Sequence, residues 1–114
     1  MKSFDKFLPI GTVVLLKKAK AKVMITGFLT SGGESQSYIY DYCGCIFPIG
    51  IYTNESTLVF NHDDIKDVYY IGYSDKKTKE FNKSLLEYEK NYVDENRKLK
   101  MSIMDIIASA GNDK

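Results

Sequence analysis

Apolar and polar positions follow two rhythms along this chain, and the change falls near Ser74. Before it, apolar and β-branched residues come in short runs separated by turn formers. Thr12–Lys17 (TVVLLK) is apolar on both faces and predicts a short strand. Lys22–Leu29 (KVMITGFL) predicts a second strand, joined to the first as a hairpin through Lys18–Ala21. Gly27 inside it predicts a bulge or a close backbone approach. Thr30–Ser35 reads as a flexible loop on composition. Gln36–Cys43 predicts a third strand with Tyr38, Tyr40 and Tyr42 at period two, hence on one face. Cys43-Gly44-Cys45 is expected to bend the chain, and Pro48 with Gly50 to end the segment. Thr57–Phe60 predicts a short fourth strand, Asn61–Asp64 a tight turn, and Asp67–Tyr73 a fifth, alternating strand.

From Ser74 onward the period lengthens. Phe81, Leu85, Tyr88 and Tyr92 recur at steps of 4, 3 and 4, one face of a helix. Ser74 is the expected N-cap, with Asp75 favourable in the first turn. Leu99, Ile103 and Ile106 nearly continue the stripe, so one long helix fits. A break over Lys98–Ser102 also fits, because Ser102-x-x-Asp105 resembles a capping box, and Gly111 ends whichever helix forms. The expected architecture is α+β. It is a small antiparallel five-stranded meander or SH3-like barrel over residues 7–73, followed by one or two helices within 75–110. Residues 1–114 form one domain.

Size and composition narrow the classes. The chain has 114 residues, 44% hydrophobic and 27% charged, which fits one globular domain with a modest core. Its net charge is +1, whereas nucleic-acid binders carry a basic excess. No nucleic-acid partner is expected. No apolar run approaches the roughly 18 residues that span a bilayer, and Asp5 and Lys6 interrupt the N-terminus before a signal peptide could form. A cytoplasmic protein with no membrane partner is expected. Its two cysteines stand too close in sequence for an easy bridge.

Candidate chemistry is sparse. Cys43-Gly44-Cys45 with His62 falls short of a four-ligand zinc set and reads as small packing residues beside a bend. His62-Asp63-Asp64 has no nucleophile motif near it and reads as turn chemistry. Gly32-Gly33 lacks the residues of a phosphate loop. No catalytic residue, metal or cofactor is expected. The tyrosine strand could stack bases, but Asp41 between Tyr40 and Tyr42 argues for packing. The stripe Phe81, Leu85, Tyr88, Tyr92, Leu99, Ile103 and Ile106 is the expected partner-binding surface. Its first half should turn inward and its second half outward, where it would also drive a homo-oligomer if no partner is present.

Three blocks carry a family resemblance. Leu8-Pro9-Ile10-Gly11-Thr12-Val13-Val14 comes first. Tyr40-Asp41-Tyr42-Cys43-Gly44-Cys45 follows, running through Pro48-Ile49-Gly50. Phe60-Asn61-His62-Asp63-Asp64-Ile65 with Gly72-Tyr73 completes the set. Together they resemble a small bacterial domain-of-unknown-function family (family 4176) over about residues 7 to 81. That family is common in Gram-positive bacteria beside type VII secretion genes and their LXG-type toxins. The resemblance implies a small cytosolic accessory protein without enzymatic activity: an adaptor or chaperone that binds an LXG-type toxin or a secretion component. An immunity protein that neutralises a toxin is the alternative, and a nucleic-acid-binding small barrel using Tyr38, Tyr40 and Tyr42 the second.

Overall fold

The computed structural model describes residues 4–32 and 35–99, with backbone alone at 35–37. Ile103, Ile106, the Ser102–Asp105 box and Gly111 lie outside the described residues. Five strands, β1 (Val13–Leu16), β2 (Lys22–Gly32), β3 (Ser35–Ile46), β4 (Thr57–Phe60) and β5 (Ile65–Tyr70), precede one helix, α1 (Lys76–Tyr92). All pairings are antiparallel and the order is β4-β3-β2-β1-β5. The first four strands form a meander, and β5 returns to the far side of β1.

That return fixes the shape. β4 and β5 lie at opposite edges, yet only Asn61–Asp64 joins them. In a flat sheet they would stand about 19 Å apart, four spacings of about 4.8 Å. The connector contains a 3-10 turn at His62–Asp64, which advances only about 2 Å per residue. The sheet must therefore curl until its edges approach at that corner, and it does: Phe60 and Ile65 both enter one core with Val14, Val23, Ile25 and Tyr42. It remains an open sheet, without the β4–β5 ladder that a closed barrel would need.

Several local expectations are corrected. Cys43-Gly44-Cys45 does not bend the chain; β3 runs through it to Ile46. Gly44 lets the strand pass close to β2, since a Cβ there would stand 2.4 Å from the Met24 carbonyl oxygen. The stretch read as a loop is partly strand, with β2 reaching Gly32 and β3 starting at Ser35. Here β2–β3 pairing overrides the turn propensity of Thr30 and Ser31. Gly27 does mark a bulge, where the register slips between Ile25 and Gly27.

The helix begins one residue later than expected. Asp75, not Ser74, is the N-cap, accepting from the Thr78 N–H at 3.0 Å while the Thr78 hydroxyl accepts from the Asp75 N–H at 3.1 Å. α1 stops at Tyr92, well before Lys98, so one unbroken helix is ruled out. The Asp94 carboxylate accepts from the N–H groups of Asn96 and Lys98, both at 2.9 Å, and folds the chain into a turn. Arg97 then takes a left-handed conformation (φ 64°), and Leu99 bridges back to Val93.

Candidate functional site

The helical stripe is mostly a lid on the sheet. Leu85 is buried in the core. Phe81 sits outermost, its ring centroid 6.0 Å from that of Phe28. Tyr88 and Tyr92 are half-buried with their rings 5.0 Å apart. A shallow apolar notch of about 300 Å³ remains between Leu29, Phe81, Ser84, Leu85 and Tyr88. Leu99 is half-buried beside Val93. The stripe is thus brought together as far as Tyr92 and turned aside after it.

Beneath α1 lies a buried polar centre. Tyr42 has no exposed surface, and its hydroxyl accepts from the N–H groups of Phe7 (2.9 Å) and Leu8 (3.0 Å). His62 Nε2 faces the Phe4 carbonyl at 3.0 Å and therefore carries the proton. Nδ1 is left to accept from the Tyr42 hydroxyl at 2.8 Å. Burial pushes the Tyr42 hydroxyl up to about 12, although the two backbone donors pull the other way. With the hydroxyl and both imidazole nitrogens occupied, the pair is a brace between β3, the N-terminal segment and the β4–β5 corner.

Four charges complete this centre. The Asp41 carboxylate is buried and accepts from the His62 N–H at 2.9 Å, from Arg97 at 2.6 Å and from Lys6 at 3.0 Å. Glu89 on α1 binds the same two cations, Lys6 at 2.6 Å and Arg97. Partial burial raises the Glu89 carboxyl, but hydrogen bonds and charge from Lys6 and Arg97 outweigh it and hold the group below the usual glutamate range. Arg97 also accepts the Ile39 N–H on its carbonyl at 2.6 Å and donates from Nε to the Ile39 carbonyl at 2.9 Å. It thereby occupies the β3 edge beyond the reach of β4. This cluster was missed from sequence. Two signals pointed to it: an acid inside an apolar strand needs a cation, and Arg97 is the chain's sole arginine, the side chain suited to bridging two carboxylates.

The exposed apolar surface lies elsewhere. Tyr69, Tyr70, Ile71 and Tyr73 line and follow β5, with Tyr70 62% and Tyr73 79% exposed. Ile10 joins them because two turns pack backbone to backbone. Gly72 lies so close to Ile10 that a Cβ would stand 2.1 Å from its carbonyl oxygen, and the Gly72 N–H bonds the Thr12 hydroxyl at 3.0 Å. The outer side of β5 pairs with no strand among the described residues. A second exposed group, Phe47, Ile49, Ile51 and Tyr52, occupies the β3–β4 loop. Neither group belongs to the predicted stripe; the tyrosine density of Tyr69–Tyr73 was the available signal.

The other sequence candidates do not assemble. Cys43 and Cys45 are free thiols. Among the described residues no three His, Cys, Asp or Glu side chains are placed to hold a metal ion, and no helix is long and apolar enough to cross a membrane. Tyr38 and Tyr40 pair their rings at 4.6 Å, but buried Tyr42 cannot extend them into a stacking platform.

A curled α+β module braced by a buried charge cluster, with tyrosines displayed on an unpaired edge, is the class these features define. Residues 7–81 match the family described as Domain of unknown function (DUF4176), and the chain belongs to that family. The match takes in all five strands and the start of α1, and leaves Glu89 and Arg97 beyond it. Neither curated proteins nor solved structures yield a match.

Proposed function

We propose that this chain is a non-catalytic, cytoplasmic protein-binding accessory: an adaptor or chaperone of type VII secretion that handles an LXG-type toxin or a related export substrate. The observation that carries the binding role is the uncharged group Ile10, Tyr69, Tyr70, Ile71 and Tyr73 beside the open edge of β5. A sheet edge offers backbone donors and acceptors to an added strand, and tyrosines supply rigid, half-apolar contact area. Tyrosine is also enriched among the side chains that dominate interface energetics. The secretion setting is supported by the family resemblance alone.

The test is co-expression with an LXG-type toxin. Co-purification with the wild-type chain, lost in Tyr70→Ser/Tyr73→Ser, is the expected result. Failure to recover any secretion component or LXG protein removes the proposal. Rescue of growth from the toxin, with no effect on its export, assigns the chain to immunity instead. The solution mass without a partner reports whether the same edge pairs two copies.

A further inference from the structure

We propose that the β1–β2 hairpin and the β3–β4 loop form a peripheral docking surface for an anionic lipid bilayer. An antiparallel meander places these two connections at the same end of the sheet, and the Phe47 N–H donates to the Lys22 carbonyl at 2.9 Å to lock them together. The loop displays four large apolar side chains within six positions, Ile49 67% and Tyr52 77% exposed among them. The hairpin displays Lys17, Lys18, Lys20 and Lys22, all exposed. Among the described residues none of these lysines has a salt-bridge partner. The Lys22 ammonium lies 4.9 Å from the Tyr69 ring centroid, so it is held beside the sheet.

Charge and chemistry together select the occupant. Apolar side chains bare enough to enter the acyl boundary, an amphipathic tyrosine suited to headgroup depth and flanking lysines are what an anionic interface recognises. Among the described residues none of the acids near this end, Glu55, Asp63, Asp64 and Asp67, forms a salt bridge with these lysines. The Asp64 carboxylate accepts the Asn61 N–H at 2.8 Å, which holds it to its own corner while it keeps its charge, and Glu55 is the loop's only acid. Asp67 lies across β1 from Lys22 without pairing to it. The lack of a spanning segment bears on crossing a bilayer, not on resting against one. This surface shares no residue with the β5 patch and meets it only where Lys22 lies over the Tyr69 ring. A lipid-bound chain would still present Tyr70 and Tyr73 to a protein.

Vesicle flotation with the full chain tests this. Binding to phosphatidylglycerol-containing vesicles is expected, with none to pure phosphatidylcholine and a marked loss at about 0.5 M salt, where charges are screened within several Å. Ile49→Ser/Ile51→Ser should abolish it. Lys18→Glu/Lys20→Glu should weaken it by about tenfold or more, each lysine near an anionic surface being worth a factor of about five. Circular dichroism on both variants confirms that they fold. No flotation of the wild-type chain, or flotation unchanged in both folded variants, overturns the proposal. So does capture of the LXG protein lost in Ile49→Ser/Ile51→Ser with no vesicle binding, which would assign the loop to a protein. Failure of Tyr70→Ser/Tyr73→Ser to disturb protein capture bears only on the β5 patch.

Discussion

Two tyrosine-bearing strands of this chain meet opposite fates. β3 carries Tyr38, Tyr40 and Tyr42; β5 carries Tyr69 and Tyr70, with Tyr73 close behind. Both look alike as sequence. Yet Tyr42 is fully buried with three hydrogen-bond partners, while Tyr70 and Tyr73 stand in solvent. The difference is position in the sheet. β3 lies between β4 and β2, and the N-terminal segment folds over Tyr42; β5 is an edge strand, and no strand among the described residues pairs with its outer side. A tyrosine's two-sided chemistry serves either place. Strand order decides whether the hydroxyl braces a core or the ring meets a partner.

The contrast can be broken most severely at Tyr42. Tyr42→Ala should cost ~3–5 kcal/mol, as for other large buried aromatics, and Tyr42→Phe about 1–3 kcal/mol through the stranded Phe7 and Leu8 N–H groups. Urea midpoints measure both. A cost for Tyr42→Phe below that range would mean that water satisfies those donors.

Alkali should act on the same group more gently. The folded hydroxyl titrates at about 12 against an ordinary 10.0, so the stability it contributes is whole below 10 and drains away as pH climbs toward 12. Two units correspond to about 3 kcal/mol. Chemical denaturation across that range should show the decline, and Tyr42→Phe should flatten it.

Acid probes the charged side of the brace. Glu89 is held below its ordinary range in the folded chain, so the unfolded chain takes up the proton first. Its contribution is present above the ordinary glutamate range and lost as pH falls through and beneath it. Glu89→Gln should therefore shrink the acid slope of stability while leaving the alkaline limb untouched.

The smallest expected effect sharpens the comparison from the other side. Tyr70→Ser/Tyr73→Ser should alter stability by no more than about 0.5 kcal/mol per site, as exposed substitutions do, even if partner capture is lost. A large destabilisation would show that the β5 tyrosines also serve the fold.

Much of the architecture was legible along the chain. Thr57–Phe60 matches β4 residue for residue, the hairpin of β1 and β2 follows from their runs, and Gly27 marks its bulge. The helix stripe was visible from Phe81 to Tyr92. Its end was misplaced because the periodicity nearly continues at Leu99, whereas the Asp94 carboxylate captures two backbone donors and closes a turn. The charge cluster escaped because Lys6, Asp41, Glu89 and Arg97 are spread over 92 positions, and nothing local pairs them.

What the chain determined by itself are properties that act over a few residues: side-chain period, turn chemistry, caps and the number of strands. Tertiary structure alone decided which tyrosines are covered, which edge stays open and which four charges meet. Those outcomes depend on how a curled sheet brings distant segments together. The short Asn61–Asp64 corner sends β5 to the far edge, and that single placement leaves its aromatic side chains in water.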